Sequence, residues 1–289
     1  MKLFATLLTT LFISLHAGAA SLPATVKEEL KKAGIPMSAV AIEVREAGHS
    51  NSLISLNARQ AMNPASNMKL LTTFVALDLL GPAYTWKTEA YLDGELHDGV
   101  LEGDLILKGY GDPKFTIERF WLWLSDLRTR GLREIKGDLV LDRSYFDLAA
   151  HDPAEFDNDP MRAYNVGPDA LLLNFNTLRL RYLPNGDRLK VVSEPPIAGI
   201  TLDNQLAPND RETDCRNWDG KVTVQPGGDS VVLLGDYPLG CGEREQSLNV
   251  MPHTRYVEAV FRAIWQELGG SLHGTQREDK VTGSAQLFS

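Results

Sequence analysis

Apolar residues recur at helical spacing in several segments of the chain. A leucine-rich segment, residues 70–79, ends at Gly81, a residue type common just beyond helix C-termini. Between residues 255 and 268 an apolar residue recurs every four positions, which places one stripe along a helix. Helices are therefore predicted over residues 22–34, 64–80, 116–130 and 255–268.

The pattern changes after Gly81 to short apolar or alternating runs separated by glycine and aspartate, which are typical of β-strands. Strands are predicted over residues 38–45, 52–56, 86–92, 99–107, 136–142, 171–182, 188–192, 221–224 and 230–234. The layout is a mixed opening, a long β-rich middle and a final helix. It favours β structure inserted into a discontinuous domain.

Residues 1–19 have the pattern of a secretory signal peptide. Lys2 supplies a positive charge, residues 3–15 are apolar, and Ala17-Gly18-Ala19 offers small residues for cleavage. The apolar run is short for a membrane span, and no later segment reaches about 18 uninterrupted apolar residues. We therefore expect an exported, soluble protein with at most peripheral membrane contact. An uncleaved N-terminal anchor is the alternative.

Composition and charge exclude some functions. The chain has 43% hydrophobic and 23% charged residues, as globular proteins do. Its net charge is -9 without a cluster of lysine or arginine, which argues against nucleic-acid binding. The 6 histidines are scattered without metal-ligand spacing, so we expect neither a metal site nor a cofactor.

Cys215 and Cys241 are the only two cysteines. In an exported protein an even pair predicts a disulfide, and two unpaired thiols are the alternative. The bond would close a loop of about 25 residues and stabilise the fold by roughly 3 kcal/mol.

Ser66-Asn67-Met68-Lys69 is the only Ser-x-x-Lys in the chain, and Pro64 before it suits a helix start. On a helix this spacing places the hydroxyl and the amine on one face, one turn apart. A serine is a poor nucleophile until a base takes its proton, and lysine can be that base if burial or nearby charge lowers its pKa. Penicillin-interacting serine enzymes use this pair for acylation. A helix that carries serine and lysine by chance is the alternative.

Several other segments occur in the order found in one enzyme family. They are Asn63 to Thr72, Leu80-Gly81-Pro82, Gly103-Asp104-Leu105, Gly109 to Pro113, Ile135 to Asp142 with Ser144-Tyr145-Phe146, and Tyr164-Asn165 followed by Leu172 to Asn176. From residue 22 almost to its end, the chain resembles the class C low-molecular-mass penicillin-binding proteins, which are periplasmic D-alanyl-D-alanine carboxypeptidases and endopeptidases.

The resemblance implies a fold and a chemistry. The fold is an α/β transpeptidase (β-lactamase-like) domain, discontinuous and interrupted by β-rich inserted domains. Ser66 would attack the carbonyl between two D-alanines of a peptidoglycan stem peptide, Lys69 would accept its proton, and the Ser66 backbone N–H would help hold the oxyanion. β-Lactams would acylate the same serine and leave slowly. The predicted domains are the signal peptide (1–19), the first part of the catalytic domain (20–84), the β-rich insertion (85–250) and a truncated return to the catalytic domain (251–289).

The family also needs Ser-x-Asn and Lys-Thr-Gly elements, which relay a proton and align the peptide. Ser55-Leu56-Asn57 precedes the nucleophile, Ser247-Leu248-Asn249 comes before the last helix, and Lys280-Val281-Thr282-Gly283 has one residue too many. We expect none of the three to be the real element. On this interpretation about the last third of the enzyme is missing and the activity of this polypeptide is in doubt.

Two alternatives follow from the same residues. The chain would be a catalytically inactive periplasmic protein that binds the cell wall through its β-rich middle. It would otherwise be a serine β-lactamase, although the one-domain build of that class does not account for the strands between residues 86 and 234.

Overall fold

A computed structural model describes residues 21–212 and 214–289 of the chain. The chain divides into two compact units, the first ending at Tyr84 and the second running from Thr85 to Ser289. The predicted signal peptide, residues 1–19, lies outside the described residues. Within the described ranges, every helix is too short or too polar to cross a membrane.

The first unit contains two helices and one hairpin. Its elements are α1 (Ala24–Lys32), β1 (Ile42–Arg45), β2 (Ser52–Leu56) and α2 (Met68–Leu80). β1 and β2 pair antiparallel, from Ile42 opposite Leu56 to Arg45 opposite Ser52. The first strand begins later than residue 38, where the sequence predicts it, because Met37–Ala39 forms a 3-10 turn. The Asn57 side chain donates to the carbonyls of Met37 and Val40, which holds that turn against the hairpin.

The second unit is rich in short strands. Its elements, in chain order, are β3 (Thr88–His97), β4 (Val100–Gly109), α3 (Ile117–Thr129), β5 (Glu134–Ile135), β6 (Leu139–Asp142), β7 (Leu178–Asn185), β8 (Arg188–Glu194), β9 (Thr201–Asn204), β10 (Ala207–Asn209), β11 (Val222–Pro226), β12 (Ser230–Pro238), β13 (Arg244–Leu248), α4 (His253–Glu267), β14 (Ser271–Leu272), β15 (Gln276–Glu278) and β16 (Gln286–Leu287).

A 7-stranded mixed sheet forms one half of this unit. β3 and β4 form a long antiparallel pair, and β5 and β6 run parallel to β4. The crossover from β4 to β5 is α3, as a parallel connection requires. The core lies between this sheet and the two helices, where Phe120 of α3 meets Phe261 of α4 at a ring distance of 6.4 Å. Phe120 and the partly buried Trp123 of α3 therefore pack in this core, whereas Trp121 is exposed.

Residues 251–289 lie in this second unit. The apolar stripe of α4 is buried in the same core as β4 and α3. β14, β15 and β16 then add to β5, β6 and β3 of the mixed sheet. These pairings with strands far away in sequence place residues 271–287 in the mixed sheet. The assignment of catalytic and inserted domains itself stays a prediction.

Two smaller sheets enclose a second core. One has the strand order β13-β7-β8, and in the other β12 lies between β10 and β11 and also pairs with β9. Tyr182 and Tyr237 stack in this core with ring centroids 5.3 Å apart. Cys215 and Cys241 form the predicted disulfide, which ties the segment before β11 to the 3-10 turn after β12, Leu239–Cys241.

Candidate active site around Ser66

Ser66 lies in a 3-10 turn, Ala65–Asn67, that leads directly into α2. Ala65 takes a left-handed backbone conformation with φ of 46°, which is uncommon for a residue other than glycine. The Asn63 side chain accepts a hydrogen bond from the Ala65 N–H at 2.9 Å, and the Asn67 N–H donates to the Pro64 carbonyl at 2.9 Å. These bonds hold the turn that presents Ser66 just before the helix.

Lys69 lies one turn further on, and its Nζ donates to Ser66 Oγ at 3.0 Å. This is the contact that the three-residue spacing predicts. For base catalysis the proton must move the other way, from the hydroxyl to a neutral amine. Both side chains are exposed. The roles of Ser66 as nucleophile and of Lys69 as general base stay predictions. The Ser66 N–H lies at a helix start, where N–H groups lack helical partners, and its role in holding the oxyanion also stays a prediction.

The surface of α2 is apolar around most of its circumference and is exposed. The exposed fractions of Leu70, Phe74 and Leu79 are 75%, 67% and 76%. No residue of α2 is buried. A helix that is apolar on all sides is the kind that lies within the core of a larger structure.

The three near-matches to the missing elements have structural contacts of their own. Asn57, of Ser55-Leu56-Asn57, is engaged with backbone carbonyls of the first unit. Asn249, of Ser247-Leu248-Asn249, accepts from the Asn176 side chain in the second unit. Lys280 to Gly283 is not part of a strand, and Thr282 Oγ1 donates to Asp93 at 2.9 Å. Only the first of the three shares a unit with Ser66.

In residues 21–212 and 214–289, no group of three or more histidine, cysteine, aspartate or glutamate side chains could hold a metal ion.

One feature of the second unit was not apparent from the sequence pattern. Asn174, Phe175 and Asn176 all have left-handed backbones, and Asn176 lines a pocket of about 570 Å³. The strand predicted over residues 171–182 consequently begins only at Leu178. The Asn-Phe-Asn triplet was the available signal, because asparagine takes this conformation more readily than other non-glycine residues.

Comparison with known proteins identifies the lineage. The D-Ala-D-Ala carboxypeptidase 3 (S13) family matches residues 22–289. D-alanyl-D-alanine carboxypeptidase DacB of Haemophilus influenzae is 30% identical over 129 residues, which cover 44% of this chain and 27% of that protein. Penicillin-sensitive carboxypeptidase A of Dictyostelium discoideum is 22% identical over 251 residues, which cover 79% of this chain and 47% of that protein.

Solved structures show the same fold. Penicillin binding protein 4 (DacB) from Haemophilus influenzae superposes with a TM-score of 0.64 at 23% identity, covering 82% of this chain and 52% of that one. The same protein complexed with a β-lactam gives a TM-score of 0.54 at 22% identity, covering 78% and 48%. This chain thus spans about half the length of these relatives. The predicted α/β transpeptidase-like fold with β-rich insertion is confirmed, as is the resemblance to class C penicillin-binding proteins.

Proposed function

The chain belongs to the D-Ala-D-Ala carboxypeptidase 3 (S13) family, and from this premise we propose that it acts as a serine-type carboxypeptidase or endopeptidase. Its substrates would be peptidoglycan stem peptides that end in D-alanyl-D-alanine, and β-lactams would be covalent inhibitors. The observation that supports this most directly is the 3.0 Å contact between Lys69 Nζ and Ser66 Oγ at the start of α2.

The proposed reaction has two halves. Ser66 Oγ attacks the carbonyl carbon of the D-alanyl-D-alanine bond while its proton passes to the neutral amine of Lys69. The C–N bond breaks, the terminal D-alanine leaves with that proton, and an ester on Ser66 remains. Water then attacks the ester, which releases the shortened peptide as a carboxylate, returns one proton to Ser66 Oγ and gives the other to the solvent. Backbone N–H groups at the helix start would stabilise the oxyanion in each half.

A β-lactam would acylate Ser66 in the same way, but the resulting acyl-enzyme would hydrolyse slowly. Opening of the four-membered ring forms the ester on Ser66 without releasing a leaving group. The acyl-enzyme therefore persists, and it can be detected after denaturation. Residues 1–19 would direct the protein out of the cytoplasm to the periplasm, where its substrate polymer lies.

Labelling of the purified full chain with a fluorescent penicillin tests the proposal. We expect a covalent band that Ser66→Ala abolishes, while Ser55→Ala, which changes another exposed serine of the first unit, keeps it. Mass spectrometry of the labelled protein should place the adduct on the peptide that contains Ser66. Absence of a band in every variant would contradict the proposed acylation, and the cell-wall-binding alternative would then be tested by sedimentation with isolated peptidoglycan.

A further inference from the structure

The chain enters α2 through a turn that is hydrogen-bonded on both sides. The peptide group between Pro64 and Ala65 lies at its centre. The N–H of this peptide donates to Asn63 Oδ1 at 2.9 Å, and its carbonyl accepts from the Asn67 N–H at 2.9 Å. Asn67 directly precedes α2, so one bond ties the peptide to the loop and the other ties it to the helix.

Ala65 is the residue at which the chain changes direction. Pro64 before it and Asn67 after it have right-handed backbones, with φ and ψ of -72° and -13° at Pro64 and of -64° and -21° at Asn67. Ala65 has φ of 46°. One left-handed residue therefore interrupts a helical path that would otherwise begin at Pro64, and Ser66 comes directly after the interruption.

A left-handed alanine needs stabilisation from a neighbour. For an L-residue this conformation brings Cβ close to the following carbonyl oxygen, a contact that glycine avoids. Asparagine and aspartate tolerate it through local hydrogen bonds of their own side chains. Among the described residues, the other non-glycine residues with positive φ are of these two types, apart from Phe175. Ala65 has no polar side chain, and its N–H is bonded to Asn63 instead.

Asn63 has the sequence spacing that this role requires. An asparagine side chain commonly accepts a backbone N–H two residues further on, which closes an Asx turn. Pro64 lies between the two residues and has its φ fixed by the ring, so ψ of Pro64 and φ of Ala65 are the rotations that remain. The bond to Asn63 restrains the first rotation directly. With α2 in place, the second follows from it.

The backbone of Ala65 determines what lies next to Ser66. In a helix each Cα–Cβ bond tilts toward the N-terminus, so a side chain lies over the preceding turn. If Ala65 took a right-handed backbone, the preceding turn would continue the helix and lie against the Ser66 hydroxyl. The left-handed residue turns the chain away, and Ser66 is exposed at the end of the helix.

We propose that Asn63 is a positioning residue for acylation at Ser66. By holding Ala65 in the left-handed conformation, it keeps the preceding chain clear of the Ser66 hydroxyl and N–H, so that the carbonyl group of a D-alanyl-D-alanine peptide or a β-lactam reaches both. This role rests on the proposed acylation of Ser66, and it belongs to a residue outside the Ser-x-x-Lys motif.

Asn63→Ala and Asn63→Ser form a matched pair, because the two replacement residues differ by one oxygen atom. Serine accepts the same N–H more weakly than asparagine does, and alanine cannot accept it. The second-order rate constant of acylation is measured on the full chain with a fluorescent penicillin. We expect Asn63→Ala to lower this rate constant at least about threefold, and the value for Asn63→Ser to lie between Asn63→Ala and the wild type.

Glycine at position 65 tests the backbone conformation itself. Adding Ala65→Gly to Asn63→Ala removes the steric cost of positive φ, so the left-handed turn is populated more often without its hydrogen bond. The double variant should be acylated at least about twofold faster than Asn63→Ala alone. A direct contact between Asn63 and penicillin would predict no such recovery.

Asn57→Ala is the control for general damage to the first unit. It removes two side-chain bonds, to the carbonyls of Met37 and Val40, that lie outside residues 63–67. The acylation rate constant of this variant should stay within about twofold of the wild-type value. If Asn63→Ala does not fold, Asn63→Ser with and without Ala65→Gly provides the same comparison.

Three results would overturn the proposal: acylation of Asn63→Ala at the wild-type rate, equal losses in Asn63→Ala and Asn57→Ala, or no recovery with glycine. If the wild-type chain is not acylated at all, the proposed function fails, and NMR decides the role of Asn63 separately. The three-bond coupling between the amide and α protons of Ala65 depends on φ, so it should change in Asn63→Ala and stay near the wild-type value in Asn63→Ser. An unchanged coupling in Asn63→Ala would exclude this role of Asn63.

Discussion

Replacing both Cys215 and Cys241 by alanine opens a covalent loop in the second unit. The loop encloses β11 and β12, which pair antiparallel from Val222 opposite Gly235 to Pro226 opposite Val231. The native contacts of this hairpin do not need the bond, since the strands pair through their own backbone groups. The main effect of the replacement should therefore be on the unfolded chain, which gains conformational freedom.

The sequence separation of 26 residues gives the magnitude. In the chain-entropy model a loop of this length contributes about 3.5 kcal/mol at 25 °C. Cys241 is 7% exposed, so removing its sulfur also costs some packing. For a unit of this size, each kcal/mol corresponds to about 2–4 °C, so the melting temperature should fall by about 7–14 °C.

Guanidinium unfolding followed by tryptophan fluorescence measures the effect, with calorimetry as a second probe. Wild-type protein reduced with dithiothreitol is the matched control, because it lacks the bond but keeps both sulfur atoms. It should lose nearly as much stability as the double alanine variant. A loss below about 1 kcal/mol, with the bond confirmed intact in untreated wild type by mass spectrometry, would refute the reasoning, because the unfolded chain would then retain structure in this loop without the disulfide.

Three further changes should have distinct readouts. Gly109→Ala places a methyl group against the backbone carbonyl of Ala170, so denaturant unfolding should show a loss of about 1–3 kcal/mol, and no loss would contradict that overlap. Asp142→Asn leaves the Val281 N–H without its carboxylate acceptor and should cost about 1–3 kcal/mol by the same measurement, whereas a neutral result would mean that this bond is dispensable. Burial lowers the pKa of His253 from its usual 6.5, so the unfolded state binds more protons just below that pH and stability should fall as the pH drops through it; an unchanged slope in His253→Phe between pH 5 and 7 would exclude this group as the cause.

The longest elements could be predicted because their apolar period persists over many residues. The helix predicted over residues 116–130 is α3, Ile117–Thr129, and the last helix begins two residues before its predicted start. Short strands such as β14 and β16 have no period of their own. They exist because distant strands offer them hydrogen bonds, and a local pattern does not contain that information.

The strand predicted over residues 171–182 shows how tertiary contacts override a local pattern. Its apolar residues fit a strand, but hydrogen bonds that Asn174 donates to the Phe115 carbonyl and to Tyr256 Oη hold a left-handed turn at residues 174–176. The pocket that contains Asn176 depends on this turn and on the start of α4, which lie far apart in sequence. Spacing alone could not have brought Asn176 and His253 together.

At the Ser66 site, local helical structure supplies the contact between Ser66 and Lys69, whereas the surroundings of the helix must supply the conditions for a neutral lysine. Three-residue spacing brings Lys69 Nζ to Ser66 Oγ once the turn Ala65–Asn67 leads into α2. A basic, neutral lysine is a different requirement, because desolvation or a nearby cation must first favour the uncharged amine. The exposed apolar surface of α2 is suited to burial, and burial would exclude water from Ser66 and Lys69 together. Acylation by penicillin therefore tests two things: whether the apolar surface of α2 is buried in the protein, and whether Ser66 and Lys69 are the reacting residues.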